Sequence, residues 1–84
     1  MPTIAIVDGV VLMIYPRDHL PPHLHARYAE HRCKISIVTG DLIEGRMPKS
    51  KLRSVKAWLA DRRPKVAFAW DEIQAGQPLR GLIE

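Results

Sequence analysis

Asp8-Gly9, set between β-rich apolar runs at residues 3–7 and 10–15, is the feature that most narrows what this chain can fold into. A type I′ turn needs positive φ at both central positions, and Asp-Gly meets that need at little steric cost. The two runs are therefore expected to pair antiparallel. Two more segments continue the strand-and-turn rhythm. Residues 23–28 alternate polar and apolar, and so do residues 32–38, with 29–31 as the turn between them. Thr39, Gly40 and Asp41 turn the chain again ahead of a shorter strand at 42–46.

The pattern then changes period. Pro48 opens a helix, since proline lacks a donor that would go unpaired at a helix start. Leu52, Val55, Trp58 and Leu59 form its apolar stripe. Pro64 opens a second helix reaching about Ala75, with Val66, Ala69, Trp70 and Ile73 inward and Phe68 on the far side. Gly76 and Pro78 end it, and Leu79 is placed for a capping contact. The expected fold is α+β: an antiparallel meander of four to five strands, followed by two helices packed on one sheet face.

Eighty-four residues that are 46% hydrophobic suit one domain spanning 1–84, with a core modest enough to lean on a partner. Cys33 is the single cysteine, so an internal disulfide is excluded and a cysteine-based zinc site has no support. The first residues have no basic leader pattern, and no apolar run nears membrane-spanning length. A cytoplasmic protein without a membrane partner is the expectation. No Gly-rich phosphate loop, Ser-His-Asp set or catalytic cysteine pairing is visible.

Chemistry concentrates in residues 18–28, where three of the four histidines lie within seven positions. Pro21-Pro22 reads as a stiff, extended connector. On the strand that follows, alternation turns Leu24, Ala26 and Tyr28 to the core. His23, His25 and Arg27 then form a row on the uncovered side. Pairing with the next strand would bring Lys34 or Arg32 to the same face, Ser36 being outward as well. Such a row admits three uses. Imidazoles titrate near neutrality and suit acid–base work on RNA, which makes His23, His25 and His19 the catalytic candidates. Zinc is the alternative, with His19, His23 and His25 as ligands, or with Asp18 or His31 supplying the third. The third use is structural, with the histidines stabilising a turn and Asp18 accepting backbone donors. No resident cofactor is called for by the first or third.

The net charge of +4 is unevenly spread: residues 46–65 carry +7 and the remainder −3. Lys49, Arg53 and Lys56 recur along one side of the first helix with no interleaved glutamate, although like charges at this spacing repel. A polyanion would relieve that repulsion, and so would an acidic protein. Arg27, Lys34, Lys49, Arg53 and Lys56 are accordingly the nucleic-acid-binding candidates. Trp58 and Trp70 lie on the apolar stripes and read as core.

Four groups of residues carry a family resemblance along the whole chain. They are Asp18-His19-x-Pro21-Pro22-His23-x-His25, Thr39-Gly40-x-Leu42-x-Glu44-Gly45, the Trp58 and Trp70 pair, and Gly76-x-Pro78-Leu79. With these the chain resembles a bacterial family known as domain of unknown function 4160. The resemblance implies a small cytoplasmic protein encoded beside another small domain, similar to a type II toxin–antitoxin pair. An antitoxin-like partner and an RNA or translation target follow from it as expectations. The family implies a candidate site and no catalytic assignment. Two rival functions stand beside RNA contact: a non-catalytic module binding an acidic partner, and a histidine-based metal-dependent hydrolase. A homodimer is compatible with each.

Overall fold

The computed structural model describes residues 3–79 and 81–83. Five strands, β1 (Thr3–Val7), β2 (Val10–Met13), β3 (His23–Tyr28), β4 (His31–Ser36) and β5 (Leu42–Gly45), precede the helices α1 (Lys49–Ala60) and α2 (Arg63–Gln74). The strands lie side by side in chain order, and every neighbouring pair is antiparallel. This is the expected α+β meander, with all five strands in one sheet.

Asp8 and Gly9 adopt φ of 50° and 81° and close the Val7↔Val10 pair, as a type I′ turn requires. The next hairpin is tighter than the sequence suggested. His31 belongs to β4 and pairs with Tyr28, so only Ala29 and Glu30 turn, with Ala29 at φ 52°. The second and fourth strands stop short of their expected ends, at Met13 and Ser36. Pro48 caps α1, and Pro64 sits in the first turn of α2.

Leu12, Ala26 and Cys33 occupy successive strands in register, and Leu24 and Ile35 repeat the arrangement beside them. These residues join Val55, Leu59, Val66, Ala69, Trp70 and Ile73 of the helices in a single apolar cluster. Trp70 is buried as expected, while Trp58 is only half-buried, with the Arg62 guanidinium over its ring. Phe68 is exposed, and Leu79 packs against the edge of the core.

Polar contacts fasten α1 to two turns of the sheet. The Lys51 ammonium donates to the Asp8 carbonyl (2.8 Å) and pairs with its carboxylate (3.2 Å), which also accepts from the Ser54 hydroxyl. The Ser54 hydrogen bond and then Lys51 hold the Asp8 carboxyl below its ordinary range. Lys56 donates to Asp41 at 2.9 Å, and Arg63 donates to the Thr39 carbonyl at 3.2 Å. The Asp41 carboxyl is held low chiefly by its hydrogen bond from Lys56. Several cations of the basic segment thus anchor helices to turns.

Candidate functional site

The chain between β2 and β3 folds back over the start of β3. Two hydrogen bonds to Gln74, at the end of α2, hold it there. The Asp18 N–H donates to the Gln74 side-chain carbonyl (3.1 Å), and the Gln74 amide donates to the Tyr15 carbonyl (2.8 Å). The Asp18 carboxylate thereby reaches both strand histidines. Its Oδ2 lies 2.7 Å from His25 Nε2 and 3.0 Å from His23 Nε2. The two rings are 5.0 Å apart, consistent with residues i and i+2 of one strand. Tyr15 meets the His25 ring edge-on at 4.6 Å, and Trp70 lies 5.4 Å from the His23 ring.

The two imidazoles occupy different environments. His25 keeps 24% of its side chain exposed. His23 is only 4% exposed, tucked against Trp70 of α2, so the expectation of a row wholly on the uncovered side holds for His25 and fails for His23. The physical reason is the folded-back loop: Asp18, docked on α2, closes over the end of the strand where His23 sits. Ser36, also expected to face outward, is buried, and its hydroxyl accepts the Val38 and Thr39 N–H groups.

The protonation pattern follows from the partners. His23 Nδ1 lies 2.8 Å from the Pro21 carbonyl, which can only accept, so Nδ1 carries a proton. His23 Nε2 is buried and, although 3.0 Å from Asp18 Oδ2, lacks a hydrogen-bond partner among the described residues. A neutral His23 would therefore leave its Nε2 lone pair enclosed beside the carboxylate with no proton shared between them. Burial is the largest single influence on the Asp18 carboxyl and pushes it up. The His25 hydrogen bond, the His23 charge, the His19 N–H and the His25 charge together outweigh it and hold the carboxyl low.

The other candidates disperse. His19 is exposed; its N–H donates to Asp18 Oδ1 at 3.1 Å, so it supports the carboxylate through its backbone. His31 stands at the far end of the β3–β4 hairpin, 3.7 Å from Glu30. Lys34 is directly across from His25 and pairs with Glu44 at 3.5 Å. Arg27 is directly across from Arg32, and neither has an acidic partner among the described residues. Lys49, Arg53 and Lys56 line one groove of about 340 Å³ with Gly40, Asp41, Leu42 and Leu52. A second groove of about 200 Å³ is lined by His25, Arg32, Lys34 and Glu44, among others.

Three residues of the site were not anticipated. Gln74 and Trp70 sit four positions apart on one side of α2, and a polar residue on that inner stripe was the available signal. In the sequence Tyr15 marks only the end of an apolar run, and nothing local ties it to the histidines.

Fold and site together define a small α+β protein with an Asp-His-His centre where a loop, a strand and a helix meet. The chain belongs to the family described as Domain of unknown function (DUF4160), whose model matches residues 9–71. No match was found among curated proteins or solved structures. Among the described residues, no helix is long and apolar enough to cross a membrane.

Proposed function

We propose that the protein contacts RNA through the cationic side of its sheet and works as one member of a toxin–antitoxin-like pair. The observation that carries this reading is Arg27 directly opposite Arg32, beside His25 and Lys34. Like charges facing each other across a ladder destabilise a sheet. A phosphate between them turns that repulsion into two charge-assisted hydrogen bonds. Lys49 and Arg53, with no acidic partner among the described residues, extend the same chemistry to the helical side. Lys56 contributes less, because Asp41 already holds it.

With His23 buried, His25 is the imidazole of the pair that reaches this surface. The reading therefore assigns RNA contact and leaves cleavage out. The partner in the pair is expected to be a small acidic protein. Phe68, 63% exposed beside a groove of about 150 Å³ formed by α2 with Pro78, Leu79, Gly81 and Ile83, offers it an apolar anchor.

Binding of a fluorescent single-stranded RNA across a range of salt concentrations tests the RNA contact. Affinity should fall linearly on a log–log plot, and Arg27→Ala with Arg32→Ala should flatten the slope by about 1.4, the value for two lost contacts to a single strand. Affinity indifferent to salt, or an unchanged slope in the double variant, would refute the reading.

A further inference from the structure

We infer that Asp18, His23 and His25 form a binding site for a borderline divalent transition-metal ion, with zinc the representative. Each residue offers one ligand atom, and the three atoms lie within 4.8 Å of one another. Proximity alone would describe many hydrogen-bonded clusters. The separate observation is His23 Nε2: fully enclosed, 3.0 Å from Asp18 Oδ2 yet not aligned with it, and without a hydrogen-bond partner among the described residues. A cation held by Nε2 and Oδ2 would give each of these neighbouring atoms a bond that the protein alone does not give Nε2. Buried polar atoms in folded proteins are nearly always satisfied, so an orphan of this kind calls for a partner.

The surroundings are those of a metal ligand shell. A ligating histidine commonly donates its other ring N–H to a carbonyl, which fixes both tautomer and ring plane. His23 does so to Pro21. Ligating carboxylates are themselves held by hydrogen bonds. Asp18 Oδ1 accepts the His19 N–H, and the Asp18 backbone is tied to Gln74. Trp70 and Tyr15 wall the two rings, which limits water around the ion.

Ligand type sets the class of metal. Two imidazoles and one carboxylate suit zinc and its neighbours in the first transition row. Magnesium and calcium prefer shells built wholly of oxygen, which this site cannot supply. Three protein ligands leave zinc one position for water or substrate, the arrangement of catalytic rather than structural zinc sites. His25 also lines the groove that holds Arg32 and Lys34. An ion here would therefore stand next to the surface to which the RNA reading assigns phosphates. The site itself rests on its own geometry and does not depend on that reading.

The test uses the full chain, purified without a histidine tag, stripped with chelator and titrated with zinc alone by calorimetry. One equivalent should bind, and a tenfold excess of magnesium should not displace it. Asp18→Asn and His25→Ala should each weaken zinc by roughly 10–100-fold or more, by analogy with the cost of disturbing a metal shell. His19→Ala should bind as the parent does. Should a variant fail to fold, cobalt added to the unaltered protein gives the answer: visible bands of a four- or five-coordinate ion support the site, and the weak spectrum of hydrated cobalt overturns it. Absence of stoichiometric zinc, binding as tight as the parent's in the Asp18→Asn and His25→Ala proteins, or loss of binding in His19→Ala would each overturn the assignment. None of these outcomes bears on the salt dependence of RNA binding.

Discussion

Cys33 shows how one residue's surroundings decide its chemistry. It lies on β4 facing the apolar cluster, between Ala26 of β3 and Gly45 of β5. Burial there disfavours the thiolate and pushes the thiol up to about 11. The thiol is therefore protonated and unreactive near neutrality. A disulfide reagent at pH 8 should modify the folded protein far more slowly than the urea-unfolded chain; equal rates would mean that Cys33 is open to solvent. The linkage has a definite sign. The unfolded thiol ionises near its ordinary value of 9.0 and the folded one near 11, so stability falls as pH rises through that interval.

At the scale of elements, the β4–β5 ladder depends on Gly45. It adopts φ of 91°, and a Cβ there would run into the Arg32 carbonyl oxygen and come within 2.8 Å of Cys33 Cα. Both neighbours are backbone and cannot move aside without breaking the ladder. Gly45→Ala should therefore destabilise the protein by about 2–4 kcal/mol in denaturant unfolding, combining a left-handed backbone with a steric clash. A loss under about 0.5 kcal/mol, the range of ordinary surface changes, would show that β5 shifts freely. The same region explains part of the sequence pattern. Glu44 and Gly45 are the positions that pair with Lys34 and Cys33, one supplying a cross-strand ion pair and the other a close backbone approach.

Across the whole molecule, local signals were readable and long-range ones were not. Asp8-Gly9 announced its turn, proline placed both helix starts, and alternation along residues 23–28 put His23 and His25 on one side of a strand. Those signals rest on neighbours in sequence. The site needs more. Asp18 lies across a Pro-Pro break from His23, and nothing local says whether the chain runs on past it or doubles back. The choice among Asp18, His19 and His31 as third group was therefore open in the sequence. It is decided by Gln74, 56 positions further along the chain, which pins the loop to α2. The burial of His23 is hidden from the sequence for the same reason, since it comes from that folded-back loop and from Trp70.

Asp18 joins two imidazoles that differ in role from the other histidines, and long-range 1H–15N correlation spectra of the labelled protein read this directly. In metal-free protein His23 should carry its proton at Nδ1, facing the Pro21 carbonyl. On adding zinc, the Nε2 resonances of His23 and His25 should shift together while those of His19 and His31 stay in place. A His23 ring with an unprotonated Nδ1, or a zinc response confined to one ring or shared by all four, would contradict it.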